Sequence, residues 1–182
     1  MRRAKPVAGI LPVNSASGRH VKMKSELSQT SKVGAVRVRC AGHPDVDAIL
    51  ALEALFPSDR MSRRSVQHFL KAPTARMLVA ESASGAMLGN IIGLRRKGSS
   101  AMRIYSVVVA PEARGLGTGQ KLVAALETLA ANEACNRVTL EVRADNAAAR
   151  ALYAKLGYRE AEALPGYYED GSDGLRLSRA IG

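Results

Sequence analysis

The stretch Val107-Val108-Val109-Ala110-Pro111-Glu112-Ala113-Arg114-Gly115-Leu116-Gly117-Thr118-Gly119-Gln120 decides how the chain is read. An apolar strand runs into a loop with three glycines, and the loop runs straight into a helix. Glycine lets the backbone approach a ligand closely and adopt positive φ. A helix start offers unpaired N–H groups and the positive end of the dipole. Together these make an anion site suited to a pyrophosphate. A dinucleotide fingerprint fails, because the sixth position from Gly115 is Gln120. A Walker loop fails as well, since no glycine pair precedes Lys121 at the required spacing. The pattern that fits is Arg-x-x-Gly-x-Gly over Arg114, Gly117 and Gly119.

Outward from this loop, the patterning alternates between sheet and helix. Residues 35–40 alternate, with Val36 and Val38 against Arg37 and Arg39, and predict a first strand. His43-Pro44-Asp45 offers a turn, and Val46, Ile49, Leu50 and Leu52 give a helical period ending near Pro57. Ser62 can cap a second helix that stops before Pro73. Residues 76–81, 87–95 and 102–109 predict a three-stranded meander. A long amphipathic helix over 117–132, a strand over 137–143 and a helix over 146–156 follow, with Gly157 at the helix end. Two last strands are expected over 158–163 and 175–181. The order is βααβββαβαββ, which implies a mixed sheet flanked by helices.

The chain has 182 residues and 47% hydrophobic residues, which suits one globular domain. No apolar run approaches the length that would cross a membrane. Cys40 and Cys135 lack metal-ligand spacing, so two reduced thiols, a cytoplasmic location and no metal are expected. The net charge of +11 is uneven: residues 1–35 carry seven Lys or Arg against one acid, Glu26. That segment reads as a basic disordered tail, with the folded domain over 36–182. Its purpose stays open between a passive tail (or a true start at Met23), a nucleic-acid or acidic-partner tether, and a targeting peptide.

A second constellation lies downstream. Leu140-Glu141-Val142-Arg143-Ala144-Asp145-Asn146 leads into Ala149, Leu152, Tyr153, Gly157 and Tyr158. Thr139, Glu141 and Arg143 share one face of their strand, which leaves Glu141 either in a cleft or solvated and paired with Arg143. Tyr153 lies two helical turns beyond Asn146, either as a proton donor or as a core tyrosine. Asn146 itself can cap its helix.

The two constellations resemble motif A and the second motif of the GNAT N-acetyltransferases. Over 36–182 the likeness runs closest to ribosomal-protein-alanine N-acetyltransferases and their bacterial relatives. The resemblance implies an α/β fold with a mostly antiparallel sheet of about seven strands and about four helices, splayed between the fourth and fifth strands. It implies acetyl-CoA as co-substrate, held by Val107, Val108, Val109, Arg114, Gly115, Leu116, Gly117, Thr118, Gly119, Gln120 and Asn146. The relatives carry a glutamate base twelve residues before a tyrosine acid, the separation of Glu141 and Tyr153.

The acceptor is the less determined part. The family fold places Phe56, Asp59 and Arg60 beside the acceptor cleft, and Tyr167 and Tyr168 in a loop that faces it. One reading is an enzyme acting on a protein α-amine, such as that of ribosomal protein S18. A second is an enzyme for a small amine or a lysine side chain. A third is a non-catalytic CoA-binding or nucleic-acid-tethered module. The expected partners are acetyl-CoA and an amine acceptor, with no membrane, in a monomer or homodimer.

Overall fold

A computed structural model describes residues 35–56 and 60–182. The expectations for residues 1–34 and for Asp59 lie outside the described residues. The elements are β1 (Arg37–Cys40), α1 (Val46–Glu53), α2 (Arg63–Lys71), β2 (Ala75–Glu81), β3 (Met87–Arg95), β4 (Ala101–Val109), α3 (Thr118–Asn132), β5 (Arg137–Arg143), α4 (Ala147–Lys155), β6 (Arg159–Leu164) and β7 (Gly174–Ala180). This is the expected order, with ends moved by one or two residues except for α1, which stops at Glu53 rather than near Pro57. Asn146, for example, stands outside α4 as its N-cap.

The seven strands form one sheet in the order β1-β2-β3-β4-β5-β7-β6. Every neighbouring pair is antiparallel except β4 and β5. That parallel contact follows from α3, which carries the chain back across the sheet before β5 begins. It is short: Ala101 faces Arg137, Met102 faces Val138, Arg103 faces Thr139, and pairing stops. β4 then continues to Val109 and β5 to Arg143 without each other, so the sheet is splayed there.

A bulge accounts for the parting. Ile92 of β3 faces Ser106, but the next residue, Gly93, faces Ile104, so Tyr105 is extra on β4. A bulge bends its strand and adds twist. This one falls two residues beyond the last rung shared with β5, and turns β4 away.

The two faces of the sheet carry different helices. On one, Leu122, Val123, Leu126 and Ala130 of α3 pack with Ile91, Met102, Ile104, Val138 and Leu140, and Ala149 and Tyr153 of α4 join them. Gly89 and Gly93 allow α3 to lie close. A Cβ at Gly89 would stand 3.1 Å from Leu122 Cδ1, and one at Gly93 2.8 Å from Leu126 Cδ1. On the other face, Val46 and Ile49 of α1 and Val66 of α2 pack with Met77, Val79 and Ile92. Phe69 of α2 meets Tyr105 with ring centroids 5.1 Å apart. Arg39 fastens the edge strand, donating to both oxygens of Asp45 at 2.8 Å and to Glu81 at 2.8 Å.

Candidate active site

The glycine loop is built as its residue types require. After a short turn at Pro111–Ala113, Gly115 and Gly117 both take φ of 75°, and α3 starts at Thr118. Gly117 is the N-cap and has no side chain to accept a hydrogen bond, so the first-turn N–H groups keep their donors for a ligand. The Thr118 hydroxyl is buried beside them with no partner among the described residues. Above the loop, Val107, Val108 and Val109 bury their side chains. Beyond Arg103 the edge of β4 that faces away from β3 has no strand partner among the described residues. A helix start with spare donors and an open strand edge leading to it fit the pyrophosphate and the amide-bearing arm of acetyl-CoA.

Arg114 does something the sequence does not disclose. Its guanidinium lies over the ring of Phe56, 5.5 Å from the centroid, and its Nε is buried without a partner among the described residues. A residue expected at the cofactor and one expected at the acceptor therefore touch.

Glu141 stands on the α1/α2 face. Thr139 pairs with Arg103, so both point to one face, and Glu141 is two residues further on the same side. It is 2% exposed, not solvated, and its partners are not Arg143. Arg103 Nε donates to Oε2 at 2.5 Å, and Arg176 Nε donates to Oε1 at 3.1 Å. Arg143 is engaged instead by Asp170 and Ser172. Neither Arg103 nor Arg176 stood out in the sequence, because strand pairing brings them in from β4 and β7.

Tyr153 lies with the other face, packed among the α3-side residues and fully buried. Its ring meets that of Tyr158 edge-on at 5.4 Å. Tyr158 donates to Glu127 Oε1 at 2.8 Å, and Arg179 donates to Oε2 at 2.7 Å, so these three are satisfied. The Tyr153 hydroxyl has no partner among the described residues. Burial pushes that phenol well above its ordinary range. A buried phenol that stays protonated and has a free donor can give a hydrogen bond or proton to a ligand atom.

In the β6–β7 connection, Tyr167 and Tyr168 meet edge-on at 5.2 Å. Arg143 lies over the Tyr168 ring at 4.6 Å, and burial pushes the Tyr168 phenol up to about 12. Burial and the charge of Glu141 raise Tyr167, while Arg103 and Arg176 oppose the rise. Asn146 acts as a cap, accepting from the Ala149 N–H at 3.0 Å. Asn90 was also missed: it is buried at mid-strand in β3, and both its amide atoms lack partners among the described residues. Among those residues no group of three His, Cys, Asp or Glu gathers to hold a metal ion, and no helix is long and apolar enough to cross a membrane.

Known proteins resemble this chain over much of its length. An N-alpha-acetyltransferase of Sulfurisphaera tokodaii is 32% identical over 168 residues, covering 86% of this chain and 99% of that protein. An uncharacterized N-acetyltransferase of Methanocaldococcus jannaschii is 44% identical over 94 residues, covering 51% of this chain and 59% of its own length. The crystal structure of the ribosomal-protein-S18-alanine N-acetyltransferase from Escherichia coli shares the fold, with a TM-score of 0.71 at 23% identity, covering 81% of this chain and 95% of that one. The model of the Acetyltransferase (GNAT) family, whose co-substrate is acetyl-CoA, matches residues 45–158. The chain belongs to the GNAT family and is an N-acetyltransferase.

Proposed function

We propose that this chain transfers the acetyl group of acetyl-CoA to the α-amine of a polypeptide, with the catalytic unit over 36–182. The observation that supports it most is the opening between β4 and β5. The glycine loop lies at one end of the unpaired β4 edge, while Glu141 and Tyr153 belong to opposite faces of the sheet. An acceptor amine arriving on the α1/α2 face would meet a thioester threaded from the loop. The α-amine rests on the likeness to the Sulfurisphaera N-alpha-acetyltransferase, which spans most of both chains. The N-terminus of ribosomal protein S18 is the first such acceptor to assay. The unpaired thiols of Cys40 and Cys135 suit a reducing, cytoplasmic compartment.

In this reading the amine lone pair forms the C–N bond and the C–S bond breaks. The nitrogen sheds one proton to Glu141, directly or through water, and the departing sulfur takes one from Tyr153. Donors along β4 near Val109 hold the charge that develops on the carbonyl oxygen. The test is incubation with acetyl-CoA and a panel of free N-terminal peptides, N-capped lysine peptides and small amines, read by mass spectrometry. Acetylation of free N-termini is expected, and Glu141→Gln should lower kcat/KM by about 10- to 1,000-fold. Turnover of small amines alone would replace this reading with the second one.

A further inference from the structure

We propose that Arg103 makes this cleft selective for primary amines that arrive uncharged near neutral pH, the α-amines of polypeptides, over the ε-amine of lysine and over polyamines. The inference rests on reading the Glu141 side of the sheet as the acceptor cleft.

The argument begins with what surrounds the carboxylate. A lone buried glutamate in an acceptor cleft would attract any ammonium group. Glu141 is not alone. Arg103 reaches it from β4, and Arg176 from β7. Arg176 is shared with Glu162 of β6, and Tyr167 and Tyr168 face the group from the β6–β7 connection. The four charges of Arg103, Glu141, Arg176 and Glu162 cancel. Each oxygen of Glu141 already accepts from a guanidinium. The cluster therefore offers no net attraction to a cation.

Position decides which of the two arginines matters. Arg176 belongs to β7, on the side of β5 away from the opening, and its other partner is the half-exposed Glu162. Arg103 sits on the last rung before β4 and β5 part, so it spans the apex of the opening. Its Nη2 is buried, and Tyr167 interacts with the same guanidinium. An incoming ammonium would meet that guanidinium first and would have to displace it. A neutral amine keeps its lone pair for the carbonyl carbon and needs only a hydrogen-bond acceptor.

Amine basicity turns this into selectivity. An α-amine has a pKa of about 8 and a lysine ε-amine one of about 10.4. Near pH 7 roughly a tenth of the first is neutral, against about one part in a few thousand of the second. A site that rejects ammonium converts that difference into acceptor choice. A site whose carboxylate welcomed ammonium would erase much of it.

The experiment uses the full chain, acetyl-CoA and two peptides of matched sequence. One has a free α-amine and no lysine; the other is N-capped and has a single lysine. Near pH 7 the wild type should favour the first in kcat/KM by about 100-fold or more, following the neutral fractions. Arg103→Gln should shrink that ratio at least about tenfold, because a cation on the approach is gone. Arg103→Lys keeps the charge and should keep the ratio within about threefold. A wild-type ratio below about ten, or an unchanged ratio in Arg103→Gln, overturns the inference. Should the Gln variant fail to fold, Arg103→Met, which also removes the charge, is read by the same ratio with the same outcomes. Turnover of neither peptide overturns the α-amine reading and this inference with it. Turnover of the free N-terminus with an unchanged ratio removes only the role of Arg103.

Discussion

The guanidinium of Arg114 covers the ring of Phe56, with 5.5 Å between the charged carbon and the ring centroid. This contact joins the glycine loop, where the anion site lies, to the chain that leaves α1. Phe56→Ala removes the ring and should loosen both sides together. The Kd of acetyl-CoA and the KM of the acceptor are each expected to rise about 3- to 10-fold, the scale of a partly desolvated cation–π contact. Calorimetry and steady-state kinetics read the two quantities separately. A change confined to the acceptor would show that Arg114 does not depend on the ring.

Gly117 holds φ at 75° as the N-cap of α3. A β-branched residue in that conformation is strained by about 1–3 kcal/mol, and its side chain would crowd the donors of the first turn. Gly117→Val should therefore weaken acetyl-CoA binding at least about tenfold, measured by calorimetry. Near-wild-type affinity would remove the loop from the anion site.

Tyr153→Phe should separate stability from catalysis. The hydroxyl is buried and lacks a partner among the described residues, so removing it costs no hydrogen bond there. The variant should melt at or above the wild-type temperature. If the hydroxyl serves the leaving sulfur, kcat falls about 10- to 1,000-fold while the Kd of acetyl-CoA stays near its original value. A lower melting temperature with unchanged kcat would make Tyr153 a core residue only.

Asp45 gives a pH dependence with a definite sign. The Arg39 hydrogen bonds hold its carboxyl below the ordinary value of 3.8, against a smaller opposing effect of burial. The unfolded chain thus takes up this proton at higher pH than the folded one. The stabilisation is complete above about 3.8 and fades as the pH falls through the lower folded value. Asp45→Asn should cost about 1–3 kcal/mol near neutrality, the scale of hydrogen bonds to a charged group. The gap from wild type should narrow in acid, as urea midpoints across pH would show. A gap that stays constant down to low pH would mean the charge is not involved.

Much of this molecule is legible in its sequence because local rules govern it. The strand–glycine–helix passage around Gly117, the Ser62 cap, the Asn146 cap and the turn at Gly157 each need only a few neighbouring residues. The face shared by Thr139 and Glu141 also follows from alternation alone. The partners of Glu141 do not. Arg103 and Arg176 lie 38 and 35 residues away in the chain and meet it through strand register. Register is a property of the whole sheet, set here by the bulge at Tyr105 and the crossover through α3. Arg114 over Phe56 is hidden for the same reason. A basic residue in a glycine loop reads as a phosphate ligand until the fold brings a ring beneath it.

The three rungs between β4 and β5 have a mechanical consequence. Within the sheet they leave the blocks β1–β4 and β5–β7 joined by three rungs and the Arg103–Glu141 ion pair, while the α3-side core packs against both. A pantetheine chain laid along the open edge of β4 would occupy the missing rungs and act as a wedge between the two blocks. On that placement, cofactor binding is expected to slow hydrogen exchange in β4 and β5, so the co-substrate would stiffen the protein as well as arm it.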